Sequence, residues 1–145
     1  MEIKRNGQWF YMGTPIGRAP LVKLFSSVMR REDDDCYYLV TPVEKVRIRV
    51  EDAPFLITLV EQIERDGASF VQLTTQTGDV VIAGEDHPIW LEYRDGEPHP
   101  CVHVRVRLHA LIGIGIGGRQ RRTGGDGRQE LVLASAGASF VIGHF

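Results

Sequence analysis

Cysteine is scarce: Cys36 and Cys101 are the only two in 145 residues. A small secreted chain usually carries a denser disulfide framework, so both are expected to be reduced thiols. Long apolar runs are also missing. No stretch approaches the ~20 apolar residues of a membrane span, and the run from Ala110 to Ile116 is broken by glycines. The segment from Met1 to Gly7 lacks the apolar core of a signal peptide. Nor is there an excess of charge of one sign. The formal net charge is −2, which gives no general attraction to nucleic acid or anionic lipid. These absences set the expectation of a cytoplasmic protein with neither a membrane nor a nucleic-acid partner. Catalytic signatures are lacking as well: no G-x-S-x-G elbow, no H-E-x-x-H and no phosphate-binding G-x-x-x-x-G-K-[ST] occurs.

What is present is an ordinary globular composition, 43% hydrophobic and 25% charged, long enough to bury a core. Turn pairs punctuate it. Asn6-Gly7 precedes an aromatic segment from Gln8 to Met12, and Asp66-Gly67, Gly78-Asp79 and Asp95-Gly96 separate later apolar segments. One amphipathic helix is predicted after Pro20, with a stripe of Leu21, Val22, Leu24, Phe25, Val28 and Met29, and Arg30-Arg31 in its last turn. Glu32 to Asp35 is a solvated acidic loop. Strands are predicted at 37–40, 46–50, 55–63, 69–76, 80–83 and 88–93, then from Val102 to about Arg105. From Leu108 to Ile112 the spacing predicts one or two helical turns. The Gly- and Arg-rich segment 113–127 reads as loop, and strands at 129–134 and 138–142 close the chain.

A faint repeat accompanies this order. Arg5-Asn6-Gly7-Gln8 resembles Arg94-Asp95-Gly96-Glu97, and similar elements follow each. The fold class is therefore α+β: mostly antiparallel sheet, one clear amphipathic helix and two similar halves, 1–52 and 53–145.

Several clusters bear on chemistry. Gly113, Gly115 and Gly118 satisfy G-x-G-x-x-G, but no apolar helix follows to aim its N–H groups at a pyrophosphate, so no dinucleotide cofactor is expected. His99, Cys101 and His103 alternate along one strand and are zinc-ligand types. Arg105 and Arg107 continue that face and would repel a cation, so no metal is expected. Two strands carry basic faces, Lys45-Arg47-Arg49 and His103-Arg105-Arg107. Guanidinium groups hold carboxylates and phosphates by paired hydrogen bonds. If the two faces converge they line an anion site between the halves; otherwise they are solvated strand faces. Glu85-Asp86-His87 reads as a polar turn.

Three segments carry a family resemblance: Gly13-Thr14-Pro15-Ile16-Gly17-Arg18, Leu24-Phe25-Ser26-Ser27, and the run from Tyr38 to Val46. Val102-His103-Val104-Arg105 and Asp86-His87-Pro88 fit it too. The chain resembles the bacterial DUF1285 family over roughly residues 5 to 112. It departs from the family pattern at 113–127, where an aromatic strand is usual. The resemblance implies a duplicated α+β core, a pleckstrin-homology-like second half, and a pocket between the halves for a nucleotide-like molecule in signal transduction. Carried onto this chain, it implies Arg18, Thr41, Glu44, Lys45, His103 and Arg105 as ligand-binding residues. The expectation is a binding module for a small anionic ligand. The alternatives are a protein-interaction domain with an exposed sheet edge, or a hydrolase or transferase using His103 and Glu44.

Overall fold

The structure, a computed structural model, describes residues 1–112, 120–123, 129–135 and 138–144. Its first sheet begins with three short strands, β1 (Glu2–Ile3), β2 (Trp9–Tyr11) and β3 (Thr14–Pro15). A helix, α1 (Ala19–Ser27), leads to β4 (Met29–Arg31), β5 (Tyr37–Val40) and β6 (Lys45–Val50). The spatial order is β3-β2-β1-β6-β5-β4. The pairs are antiparallel except at the centre, where β1 runs parallel to β6.

The helix is shorter than its apolar stripe predicts. Ser26 and Ser27 turn their hydroxyls back onto the carbonyls of Lys23 and Leu24, at 2.8 and 2.6 Å. Such bonds compete with the helical ladder. Met29 then lies in a strand opposite Leu39, only 2% exposed, while Leu24 on the helix is 60% exposed. Arg30 and Arg31 therefore belong to β4, not to the last turn of the helix.

The second sheet repeats the first. Its strands are β7 (Phe55–Arg65), β8 (Ala68–Thr75), β9 (Val80–Ile82), β10 (Ile89–Arg94), β11 (Glu97–Arg105) and β12 (Leu108–Ile112). Taken from the β9 edge, the order is β9-β8-β7-β12-β11-β10. Each sheet is thus a three-strand meander joined to a second meander, with its sixth strand parallel to its first. One half curls into a half-barrel. The shared topology corrects the repeat register. The turn equivalent to Arg5-Asn6-Gly7 is Arg65-Asp66-Gly67, since each joins the first two strands of its sheet. Arg94-Asp95-Gly96 joins the fourth and fifth.

The segment from Leu108 to Ile112 is a strand rather than helical turns. Leu108, Ala110 and Ile112 are buried and alternate with half-buried His109 and Leu111. The chain turns back at Val106-Arg107, with Arg107 at φ 59°. A third sheet comprises β13 (Gln120–Thr123), β14 (Gln129–Ser135) and β15 (Ala138–His144). Its β14 lies beside β8, and its β15 beside β10 and β11. Gln120–Thr123 is a strand where the composition predicts loop; 113–119, with the glycine motif, and 124–127 lie outside the described residues.

A single buried cluster joins the halves. Ile3, Trp9, Met29, Leu39 and Ile48 from the first pack in one body with Phe55, Ile57, Val71, Leu73 and Leu108 from the second. Burying a side chain of this size stabilises by about 1.5–3 kcal/mol. The halves are therefore held together by the same apolar burial that holds each sheet.

Candidate functional site

A cleft of about 560 Å³ lies where the halves meet. The first half supplies the turn from Asn6 to Gln8, then Trp9, Ile16 and Gly17, and the first two turns of α1 with Lys23. The second half supplies Gln76 and Thr77, from the turn between β8 and β9. Local chemistry fixes both walls. Gly7 sits at φ 85°, and a Cβ there would meet the Gln76 side chain at 3.1 Å and Leu56 at 3.3 Å. Glycine serves both the left-handed turn and the close approach of the halves. Gln76 ties that approach: its Oε1 accepts from the Leu56 N–H at 2.8 Å and its Nε2 donates to the Gly7 carbonyl at 3.4 Å. Thr77 donates its hydroxyl to Asp79 at 2.7 Å, holding the opposite turn.

Trp9 lines the cleft, 1% exposed, with its ring stacked on Phe25 at 6.4 Å. Its Nε1 has no hydrogen-bond partner among the described residues. Exposed polar side chains from Asn6, Gln8 and Lys23 share the lining. The arrangement offers hydrogen-bonding groups and one ammonium around an apolar floor.

The six residues implied by the resemblance are distributed as follows. Arg18 is the N-cap residue of α1, exposed, between the cleft-lining Gly17 and Ala19. Thr41 and Glu44 are brought together by the turn between β5 and β6. The Glu44 N–H donates to Thr41 Oγ1 at 3.1 Å, and the Thr41 N–H to the Glu44 carbonyl at 2.8 Å. Both line a second, smaller hollow of about 340 Å³ with Met1, Tyr11, Phe25 and Leu39. Lys45 pairs with Glu32 at 3.1 Å and lies over the Tyr38 ring. His103 packs against His87, ring centroids 5.8 Å apart, and its carbonyl lies 2.9 Å from His87 Nδ1. Arg105 covers the Phe55 ring of its own half and crosses to the first half, where its guanidinium donates to the Ser26 carbonyl. Arg107 crosses beside it to Asp33 and Asp35, at 2.9 and 3.2 Å. Thr41 and Glu44 meet each other, while Lys45, His103 and Arg105 have separate partners.

Three ionisable groups near the β4–β5 hairpin are displaced from their ordinary ranges. Asp34 accepts from the Tyr38 hydroxyl at 2.6 Å, which holds its carboxyl low and raises the Tyr38 phenol. Tyr37 is raised by burial, opposed by Arg31 and reinforced by Glu92 of the second half.

Two domain models match this chain in series. The N-terminal domain of the DUF1285 family, a domain of unknown function, matches residues 1–53, and its C-terminal domain matches 54–142. The chain belongs to the DUF1285 family. A crystal structure of a DUF1285 family protein from Silicibacter pomeroyi DSS-3 is 42% identical, with a TM-score of 0.83. That match covers 99% of this chain and 79% of the other. A DUF1285 family protein from Shewanella baltica OS155 is 31% identical, with a TM-score of 0.60, over 78% of this chain and 83% of the other. No curated protein matches. The junction between the two DUF1285 domains falls just before Phe55, at the entry to β7.

Five cleft-lining residues, Asn6, Gln8, Lys23, Gln76 and Thr77, escape the sequence analysis as site residues. Asn6-Gly7 signals a turn and Lys23 a helix surface. Only the packing of one sheet against the other, with Gln76 on Gly7, brings the β8–β9 turn against them, and no local pattern in the sequence encodes that contact.

Proposed function

We propose that this DUF1285 protein is a binding module for a small anionic molecule seated in the cleft between its halves. The observation that carries the proposal is a cleft of about 560 Å³ walled by both halves, within the ~300–1,000 Å³ usual for small-molecule sites. Trp9, Ile16 and Val22 supply an apolar wall for a ring or carbon skeleton. Lys23, with Arg18 at the mouth, supplies positive charge beside the N-terminus of α1, where the helix dipole favours an anion. Asn6 and Gln8 fix orientation. A ligand touching both walls would stiffen the junction, and a sensing role in signal transduction rests on that coupling.

Of the other residues implied by the resemblance, Thr41 and Glu44 line the neighbouring hollow. Lys45, His103 and Arg105 are not among the cleft-lining residues and are engaged by Glu32, His87 and Ser26 respectively. Titration calorimetry of the whole chain against nucleotides and phosphorylated metabolites tests the proposal. Saturable binding that weakens at least about tenfold in Lys23→Glu is expected. Flat titrations across the panel would refute it.

A second reading, a surface for a protein partner, is favoured by Tyr11 and Met12, which are 57% and 83% exposed at the β2–β3 turn. Unchanged mobility on mixing with candidate partners, together with ligand binding in the cleft, would decide against it.

A further inference from the structure

Cys101 is a fully buried thiol at the middle of three adjacent strands. Glu92 on β10 and His109 on β12 flank it, and one ligand-type atom from each of the three lies within 4.8 Å of the others. Strand geometry explains the convergence. Trp90 is the ladder partner of Cys101, so Glu92, two residues on, is its diagonal neighbour. Leu111 is its partner on the other side, so His109 is diagonal there. Diagonal positions lie about 7–8 Å apart, within reach of long side chains, and here two long side chains close on a short one. The set His99, Cys101 and His103, by contrast, runs along one strand with its end residues about 13 Å apart, and His103 packs against His87 instead.

We propose that Glu92, Cys101 and His109 form a transition-metal site suited to Zn²⁺. Thiolate, imidazole and carboxylate are the ligand types zinc takes. A thiolate and a carboxylate together balance the divalent charge, which a half-buried carboxylate beside a buried sulfur needs. The site has the outer support that metal ligands carry: Trp90 donates its Nε1–H to Glu92 Oε1 at 3.3 Å and lays its ring against His109, centroids 5.9 Å apart. The cations that argue against a metal in the sequence are led away. The β11–β12 register shifts between His103 and Arg105, and Arg105 and Arg107 both end on the first half. On binding, the Cys101 thiol gives its proton to solvent and exchanges a long contact to the His99 carbonyl, 3.6 Å, for the metal. Zinc takes four ligands, and the described residues supply three of them.

Cobalt titration of the whole, chelator-stripped chain tests this. The expected result is a near-ultraviolet thiolate-to-cobalt band with tetrahedral visible bands, complete at about one equivalent and erased by zinc. Cys101→Ser is expected to abolish the thiolate band, and Cys36→Ser to keep it. His109→Gln and Glu92→Gln carry the test if Cys101→Ser fails to fold, each expected to weaken cobalt binding at least about tenfold. A chain that gives no band, a band lost in Cys36→Ser, or binding unchanged in both His109→Gln and Glu92→Gln overturns the assignment.

Discussion

At the scale of single residues, Gly7 and the Asp34–Tyr38 pair make the sharpest claims. Gly7→Ala must hold a left-handed backbone, which costs a residue with a Cβ about 1–2 kcal/mol, and must also push on Gln76 and Leu56. Gly13 has the same kind of backbone, φ 80°, but open space around it. Urea unfolding should therefore show Gly13→Ala losing about 1 kcal/mol and Gly7→Ala about 2–3 kcal/mol. Equal losses would mean that the approach of the halves at Gly7 carries no strain. The Asp34–Tyr38 bond makes a pH prediction of opposite sign for each partner. The depressed Asp34 carboxyl contributes stability above its unfolded value, lost as pH falls through the folded one. The raised Tyr38 phenol contributes stability below the ordinary range of about 10, lost as pH rises through its folded value. Because the Asp34 hydrogen bond is the largest cause, Asp34→Asn should bring the Tyr38 titration down toward the ordinary range. Tyr37, raised by burial, should stay high. A phenolate absorbance titration of the variant checks this, with Tyr37 as the internal control.

Elements show where local pattern suffices and where it fails. Turn pairs and apolar pattern locate β7 to β10; β11 begins at Glu97, five residues before the predicted Val102, because Pro100, Cys101 and Val102 are all buried and break the alternation there. The same rule fails from Leu108 to Ile112, where Leu, Ala, Leu and Ile fit both a short helix and a strand. Pairing with β7 through Phe55, Leu56 and Ile57 decides the matter, and that is a contact across more than fifty residues. The helix stripe likewise runs on to Met29 in sequence but stops at Ser27 in space, where two serine hydroxyls end the ladder. The basic faces were legible as alternation, but their partners were not. Arg105 and Arg107 both cross to the first half, yet their environments differ. Arg105 meets a carbonyl and an aromatic ring in a half-buried setting; Arg107 meets exposed aspartates. Arg105→Ala should cost about 2 kcal/mol, little changed by salt. Arg107→Ala should cost less than about 1 kcal/mol, fading at high salt. Urea midpoints at two ionic strengths separate them, and a salt-sensitive loss at Arg105 would show that its contacts are solvated.

For the whole molecule, the question is whether two similar halves fold as two units or one. Each half has its own six-stranded sheet with the same strand order, which on topology alone suggests independence. The packing says otherwise. One cluster of buried side chains spans both sheets, and Phe55, buried in it at the start of the second half, also carries Arg105 on its ring. A first half cut free would expose its side of that cluster and lose the Gln76 bridge to Gly7. The chain supplies its own reporters, since its two tryptophans fall one in each half, Trp9 in β2 and Trp90 in β10. With Trp90→Phe, Trp9 fluorescence follows the first half; with Trp9→Phe, Trp90 follows the second. Each variant's fluorescence transition in urea should coincide with its own circular dichroism transition, as one cooperative unit requires. Phe55→Ala, which empties a buried ring site at the boundary, should then shift both reporters together by about 3–5 kcal/mol. Were Phe55→Ala to move the Trp90 transition and leave the Trp9 transition in place, the shared core would not couple the halves, and a ligand bridging the cleft would have no rigid junction to act upon.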